Sequence, residues 1–297
     1  MRRQNEDTER VLKIGIPKGS LSDSTRDLFR RAGFELNISS RGYYPTIDDP
    51  EIQCVMFRAQ EMSRYVEDGV VDLGLTGYDW ILENGSDVVE VCELAYSKAS
   101  TRPARWVLAV PNESRIQRLE DFAGGIVATE LVNVTRKYFE SRGIDVRVEF
   151  SWGATEVKAR LLDGIVELTE TGSSLRENHL RVIAEVLSST TRLIANRAAY
   201  ADSWKREKID SLAILLKGAI EARAKVGMKL NVAKADLPRV LDLLPAEKSP
   251  TISTLADDRY VAVEVIIEEQ VERALLPKLQ WAGASGIIVY PLNKVIP

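Results

Sequence analysis

The segment Asp163-Gly-Ile-Val-Glu-Leu-Thr-Glu-Thr-Gly-Ser-Ser-Leu-Arg-Glu-Asn178 predicts a strand, a tight turn and the start of a helix. Residues 164–168 are apolar apart from Glu167, a pattern typical of a buried strand whose carboxylate lies at the carboxyl end. Small hydroxyl side chains then surround Gly172, and the spacing of 174–177 predicts a helix capping box. We therefore expect the chain to turn sharply at Gly172 and to enter a helix.

This turn is suited to a phosphate group. The N–H groups of a first helical turn point at a bound anion, the helix dipole favours negative charge, and Gly172 lets the backbone approach closely. Glu167 would repel phosphate, so we expect it to bind sugar hydroxyls or Mg²⁺, and the two features together indicate a ribose phosphate. The alternative is an ordinary capped helix after an ordinary strand, because the segment matches neither the Walker loop nor the G-x-G-x-x-G pattern.

The composition argues against several classes of protein. A chain of 297 residues predicts two or three domains, and 44 acidic against 40 basic residues argue against a nucleic-acid binder. Residues 1–10 are charged, which predicts neither a signal peptide nor an anchor, and no apolar run is long enough to span a membrane. Cys54 and Cys92 are isolated and His179 is the only histidine, which argues against a zinc site or a Cys-His pair. Such cysteine usage is typical of the cytoplasm.

Strands and helices alternate over most of the chain, which predicts sheets with ligand sites at the carboxyl ends of their strands. A turn at Lys18 and Gly19 follows a predicted strand at 11–16, and a turn at 76–77 follows one at 71–75. Three such turns indicate a cleft lined by backbone donors, which binds small anionic molecules. Taken alone, Lys18 is explained equally well as a solvated lysine in a turn.

The pattern also predicts the domain organisation. The polar stretch 96–105 is interpreted as a crossing between two lobes, and its Lys98, Arg102 and Arg105 either face an anion or belong to a solvated linker. From residue 225 onward the pattern becomes β-α-β-β-α-β, the ferredoxin-like order, without catalytic groups, which favours a regulatory or oligomer-forming module. We expect a discontinuous first lobe, a second lobe and a carboxyl-terminal domain, at 11–104 with 191–224, at 105–190 and at 225–297.

In their order along the chain, the motifs resemble the ATP phosphoribosyltransferase family in its long form. The resemblance covers nearly all of the chain after Glu9. The matching segments are Ile14-Gly-Ile-Pro-Lys-Gly-Ser-Leu21, Val71-Asp-Leu-Gly-Leu-Thr-Gly-Tyr-Asp-Trp80, Gly164-Ile-Val-Glu-Leu-Thr-Glu-Thr-Gly-Ser-Ser-Leu-Arg-Glu-Asn178, Leu244-Pro-Ala-Glu-Lys-Ser-Pro-Thr-Ile-Ser-Thr-Leu255 and Gly283-Ala-Ser-Gly-Ile287.

The resemblance implies an activity and an architecture. The expected reaction transfers the ribosyl phosphate of phosphoribosyl pyrophosphate (PRPP) to N1 of ATP, releases pyrophosphate, requires Mg²⁺ and begins histidine biosynthesis. The expected fold is a two-lobed catalytic core like the type II periplasmic binding proteins, followed by a ferredoxin-like α+β domain. By the same resemblance, histidine is the inhibitor and the chain forms dimers and hexamers.

The resemblance also implies the site residues. Glu167 and Lys18 are the expected catalytic residues. PRPP is expected on Glu167, Thr169, Glu170, Thr171, Gly172, Ser173, Ser174 and Leu175. ATP is expected on Lys18, Gly19, Ser20, Asp72, Thr76, Gly77 and Asp79. Histidine is expected on Ser249, Thr251, Ser253 and Thr254.

Three positions depart from the family's usual pattern. Ser20 stands where an arginine is usual, so its charge is either missing or supplied by another residue such as Arg41 or Arg58. Glu167 stands for the more usual aspartate, and His179 for a common glycine. The rival interpretation is a non-catalytic protein, either a two-lobed small-molecule binding module or a regulatory subunit.

Overall fold

The computed structural model describes residues 10–39, 42–96, 103–245 and 249–296. Three residues with predicted roles lie outside the described residues: Arg41, Lys98 and Arg102. The chain divides into two compact units, Met1–Ala213 and Ile214–Pro297. Within the described residues, no helix is both long and apolar enough to cross a membrane.

The first unit alternates strands with mostly short helices. Its strands are β1 (Leu12–Lys18), β2 (Ile52–Arg58), β3 (Leu73–Gly77), β4 (Val89–Leu94), β5 (Ala104–Pro111), β6 (Ile126–Thr129), β7 (Arg147–Phe150), β8 (Gly164–Thr169), β9 (Leu180–Ser189) and β10 (Thr191–Ala195). Its helices are α1 (Ser22–Ala32), α2 (Ala59–Glu67), α3 (Tyr78–Asn84), α4 (Val132–Glu140), α5 (Thr155–Lys158), α6 (Ser173–Glu177) and α7 (Arg197–Ala201), and α8 (Ser203–Glu221) continues into the second unit.

The first sheet has the strand order β2-β1-β3-β10-β4. Strands β1, β2 and β3 are parallel, and β10 runs antiparallel between β3 and β4. The carboxyl ends of the three parallel strands therefore meet at one edge, where Lys18 and Arg58 are partners in register. The consecutive residues Ile14, Gly15, Ile16 and Pro17 are all buried, as expected of a strand covered on both faces.

The second sheet has the order β7-β6-β8-β5-β9. Strands β6, β7 and β8 are parallel, and β5 runs antiparallel to β8 and β9. Because of these directions, the carboxyl ends of β8 and β9 lie beside the amino end of β5, where Ala104 pairs with Ser189. Only Thr190 separates β9 from β10, so the chain passes at this edge directly from one sheet to the other. The predicted two-lobed fold is confirmed.

Some predicted elements were wrong in extent. The sequence pattern predicts a strand at 35–39, whereas the structure has only an isolated bridge between Asn37 and Thr46. The pattern also predicts a helix at 156–162 and one at 204–224. The first is the single turn of α5, and the second is α8, which ends at Glu221 before a short 3₁₀ turn at Ala222–Ala224.

The second unit has the ferredoxin-like order that the sequence predicted. Its elements are β11 (Lys225–Ala233), α9 (Leu237–Leu241), β12 (Thr251–Thr254), β13 (Tyr260–Glu268), α10 (Glu269–Trp281) and β14 (Ser285–Pro291). The strand order is β12-β13-β11-β14, with antiparallel neighbours. Strands β11 and β13 alternate buried and exposed side chains, so one face of the sheet is covered by the buried side chains of α9 and α10, such as Val240 and Leu279.

Candidate active site

A cavity of ≈ 540 Å³ lies between the two sheets of the first unit, at the carboxyl ends of their parallel strands. This is the position in which open α/β sheets bind ligands, and the volume suits a small molecule. The walls carry opposite charges. Lys18 and Arg58 come from the first sheet, whereas Glu130, Glu167 and Glu170 come from the second.

The cationic wall results from strand register. Lys18 ends β1 and Arg58 ends β2, and because they are paired positions of parallel strands, two positive charges stand side by side. The Lys18 ammonium lies 3.5 Å from the centre of the Tyr43 ring, and its hydrogen bond and charge lower the pKa of that tyrosine. Ser20 also lines the cavity without a charge. Of the two arginines expected to supply the charge that Ser20 lacks, Arg58 lines the same cavity, and Arg41 lies outside the described residues.

The turn after β8 is held by its own hydrogen bonds. Gly172 has a φ of 72°, in the left-handed region, and its N–H donates to Thr169 Oγ1 at 2.8 Å. Arg176 Nη1 donates to the Thr171 carbonyl at 3.0 Å and would also lie 3.0 Å from a Cβ added at Gly172. A larger residue at Gly172 would therefore meet both backbone strain and a close contact.

The predicted capping box was wrong. Gly172 is the N-cap of α6, no side chain caps the helix, and α6 has only five residues. The Ser174 hydroxyl instead donates to the Glu156 carboxylate. Because α6 begins at Ser173, Ser174 lies inside the helix, and its hydroxyl is not at the N-cap position where it could accept from a free N–H group.

The residues of the predicted PRPP loop have different environments. Glu167 and Glu170 line the cavity, while Thr169 and Leu175 are buried beneath it. The remaining four, Thr171, Gly172, Ser173 and Ser174, are exposed or partly exposed, and the hydroxyls of Thr171 and Ser173 lie 3.0 Å apart.

The pKa of the Glu167 carboxyl lies near neutral pH. Burial is the main cause that raises its pKa, to about 7, and the negative charges of Glu156 and Glu130 act in the same direction. Hydrogen bonds from the Thr155 hydroxyl and from the Leu168 N–H, the latter at 3.0 Å, act against this rise. A ligand that donates hydrogen bonds to Glu167 would therefore favour its ionised form.

Asp79 lines the cavity, but its carboxylate is engaged in joining the two sheets. It is 4% exposed and accepts a hydrogen bond from the Trp106 indole at 2.6 Å, while its own N–H donates to Ser189 Oγ at 3.1 Å. Burial raises the pKa of Asp79, and hydrogen bonds to its carboxylate from the Trp106 and Ser189 side chains oppose the rise. Trp80 packs edge-on against Trp106 with 6.1 Å between ring centres.

The structure does not bring two other predicted residues to the cavity. Asp72 precedes β3, at the opposite end from Gly77, and accepts hydrogen bonds from Lys205 Nζ at 2.6 Å and from the Lys13 N–H at 2.9 Å. Thr76 is fully buried and donates to the Ala59 carbonyl at 2.7 Å. Gly19 and Gly77 do line the cavity.

The sequence reasoning missed Glu130, for which a signal was present. Glu130 follows the last residue of β6 just as Glu170 follows the last residue of β8. Since β6 and β8 are parallel neighbours, both carboxylates belong to the same edge of the sheet. The described residues contain no group of three or more His, Cys, Asp or Glu side chains that could hold a metal ion.

The residues predicted to bind histidine lie in the second unit. Thr251, Ser253 and Thr254 belong to β12, an exposed edge strand, and Ser249 precedes it. Side chains alternate along a strand, so the hydroxyls of Thr251 and Ser253 share one face and that of Thr254 lies on the other.

Comparisons with known proteins extend over both units. The chain matches a family model described as HisG, ATP phosphoribosyltransferase, at residues 58–228 and one described as HisG, C-terminal domain, at 222–294. It is 56% identical over 287 residues to an ATP phosphoribosyltransferase of Chlorobaculum parvum, covering 96% of this chain and 98% of that protein. The corresponding protein of Thermodesulfovibrio yellowstonii is 56% identical over 290 residues, with coverages of 97% and 99%.

A solved structure is similar to part of the chain. The ATP phosphoribosyl transferase (HisG:HisZ) complex from Thermotoga maritima contains a chain with 30% identity and a TM-score of 0.60. The match covers 71% of this chain and 99% of that one.

Proposed function

The chain belongs to the ATP phosphoribosyltransferase family, and from this premise we propose that its cleft transfers the 5-phosphoribosyl group of PRPP to N1 of ATP. The products are phosphoribosyl-ATP and pyrophosphate, in the first step of histidine biosynthesis. The observation that carries the proposal is the cavity with two cations on one wall and three carboxylates on the other. Substrates that combine polyphosphates with sugar hydroxyls match both walls.

Each wall has a role in the reaction. The ribose hydroxyls of PRPP donate to the Glu167 carboxylate, and the 5-phosphate is bound by the loop 169–175. There the phosphate replaces the Thr169 and Thr171 hydroxyls as the acceptor for the Gly172 and Ser173 N–H groups. Lys18 and Arg58 bind the polyphosphate groups and stabilise the charge of the departing pyrophosphate. The ionised Glu167 also stabilises the positive charge that develops on the ribose. N1 of adenine carries a lone pair, so its attack needs orientation rather than a general base.

Mg²⁺ fits this cleft as an ion that enters with a polyphosphate. Mg²⁺ keeps several waters and is commonly bound by one or two carboxylates together with substrate phosphates, so a cluster of three protein ligands is not needed. Glu130 and Glu170, the cavity carboxylates that are not assigned to the ribose, would hold it. When bound, Mg²⁺ supplies neutralisation of the pyrophosphate charge.

The second unit has a regulatory role in this proposal. Histidine binds at Ser249, Thr251, Ser253 and Thr254, where hydroxyls and the free edge of β12 offer groups for its carboxylate and amine. We further propose that the chain acts in the cytoplasm as a homo-oligomer, a dimer or hexamer. The domains proposed for these roles are 11–104 with 191–224, 105–190 and 225–297, the last beginning with β11.

Formation of phosphoribosyl-ATP tests the activity directly. The protein is incubated with ATP, PRPP and Mg²⁺, and the adduct is separated by chromatography and identified by mass. We expect product only when all three are present. Binding of ATP and PRPP without product would overturn the proposal and favour a non-catalytic regulatory subunit.

A further inference from the structure

A row of hydrogen bonds leads from Lys158 through two buried hydroxyl groups, those of Ser151 and Thr155, toward Glu167. Lys158 Nζ donates to Ser151 Oγ at 2.7 Å, and Ser151 Oγ lies 2.9 Å from Thr155 Oγ1. Thr155 begins α5, which packs on β8, and its hydroxyl lowers the pKa of the Glu167 carboxyl on that strand. Ser151 and Thr155 are 0% and 1% exposed, so solvent does not compete for these hydroxyls.

Each hydroxyl in this row donates toward Glu167 and accepts from the side of Lys158. An ammonium group only donates and a carboxylate only accepts, so Lys158 donates to Ser151 and Thr155 donates to Glu167. The Ser151 proton is then the one that bonds Thr155 Oγ1. Each hydroxyl accepts from one neighbour and donates to the next, and such chains polarise one another cooperatively.

The local fold fixes this row. Ser151 follows β7, and its N–H donates to the Thr129 carbonyl at 2.8 Å, which anchors it to β6. Ala154, with a φ of 49°, then turns the chain so that Thr155 begins α5. Helix α5 packs on β8, which carries Glu167.

Glu167 is otherwise faced mainly by groups that oppose its ionised form. Glu156 on α5 and Glu130 after β6 contribute negative charge, and burial acts in the same direction. The positive groups of the cavity, Lys18 and Arg58, belong to the other sheet, and Glu170 lies on the same wall. Among the groups that act on the Glu167 carboxyl, the Thr155 hydroxyl is the side chain that favours the charged acceptor.

We propose that Lys158, Ser151 and Thr155 are positioning residues that hold the Glu167 carboxylate as an acceptor for the ribose hydroxyls of PRPP. This inference rests on the proposed function and deepens it. It makes PRPP binding depend on a lysine that does not line the cavity.

Steady-state kinetics of paired variants tests the row. Thr155→Val removes the donor, and we expect the KM for PRPP to rise about tenfold, the effect of losing one hydrogen bond to a charged group. Lys158→Met should raise it by a smaller factor of about three, while the KM for ATP stays constant. Thr155→Ser and Lys158→Arg should restore nearly the original KM because each keeps its donor.

Two controls separate this role from a general structural effect. Thr135→Val makes the same substitution in another buried threonine of the second lobe, whose hydroxyl has no hydrogen-bond partner among the described residues, and should leave both KM values unchanged. Thr155→Val should raise the KM for PRPP much less in a Glu167→Gln background than in the wild type, because both changes act through one carboxylate. Fully additive effects, or an unchanged KM for PRPP in Thr155→Val, would overturn the inference.

A substrate-free measurement distinguishes failure of this inference from failure of the proposed function. In protein with ¹³C-labelled glutamate carboxyls, the Glu167 signal is assigned by its loss in Glu167→Gln and titrated without Mg²⁺. We expect its midpoint to rise in Thr155→Val and Lys158→Met but not in Lys158→Arg. If wild-type protein makes no phosphoribosyl-ATP, the proposed function fails while this titration still tests the row; an unmoved midpoint in both variants refutes it.

Discussion

Replacing Glu167 by glutamine should stabilise the substrate-free protein above neutral pH. Ionised Glu167 is disfavoured by burial and by two neighbouring carboxylates, which raise its pKa from the ordinary 4.5 to about 7. This difference corresponds to roughly 3 kcal/mol of unfolding free energy as an upper value, because Glu167 is partly exposed and solvent screens it. The same substitution should weaken PRPP binding, so stability and activity change in opposite directions.

The ionisation of Glu167 determines how the difference in unfolding free energy changes with pH. Between pH 4.5 and about 7 the folded protein holds a proton on Glu167 that the unfolded chain has released. The contribution of Glu167 to the unfolding free energy is therefore most favourable below pH 4.5, and it is lost as the pH rises through about 7. Glutamine does not ionise, so the Glu167→Gln variant keeps this stability at all pH values. The difference in unfolding free energy between variant and wild type should therefore grow from pH 4.5 to about 7 and remain constant above that.

Urea denaturation of the two proteins from pH 4.5 to 8.5, without substrates or Mg²⁺, measures the difference. Glu140→Gln, at an exposed position of the same lobe, is the matched control and should not reproduce the curve. A difference between wild type and Glu167→Gln that stays constant with pH, or that grows toward acid, would refute the reasoning.

Three further predictions concern other parts of the molecule. Gly172→Val should abolish turnover while circular dichroism stays unchanged, because the substitution blocks phosphate at a backbone φ of 72° that valine rarely adopts; near-normal turnover would remove the loop from the site. Trp106→Phe should lower the unfolding free energy by about 1–3 kcal/mol in urea denaturation, since it leaves the buried Asp79 carboxylate without the indole donor, and no loss would contradict this pairing. A chain ending at residue 224 should lose histidine binding in calorimetry that the full chain shows, and displacement of histidine by ATP or PRPP from one shared site would contradict a separate regulatory site.

Local sequence patterns were sufficient to predict much of the fold and part of the site. The strand before Gly172, the turn at Lys18 and the β-α-β-β-α-β order of the second unit depend on neighbouring residues, and each was recognisable from periodicity and glycine placement. The capping box failed because Gly172, in a left-handed conformation, is the N-cap, which places Ser174 inside α6 rather than at its start. The Ser174 hydroxyl donates instead to Glu156, 18 residues away.

The roles of the aspartates depended on distant partners. Asp72 and Asp79 belong to the same motif, yet one pairs with Lys205, 133 residues along the chain, and the other with Trp106. No local pattern contains these partners, because they meet only after the sheets have formed. Polar residues that join elements and polar residues that bind ligands have the same appearance in a sequence.

The bond between Trp106 and Asp79 also gives the molecule an internal optical probe. Trp106 is 2% exposed and lines the cavity, whereas Trp152 and Trp281 are 92% and 79% exposed. A soluble quencher such as iodide therefore suppresses the emission of the two exposed indoles first. The remaining blue-shifted fluorescence includes that of Trp106, whose indole N–H bonds a carboxylate at the point where the two sheets meet, and it reports on occupancy of the cleft without any added label.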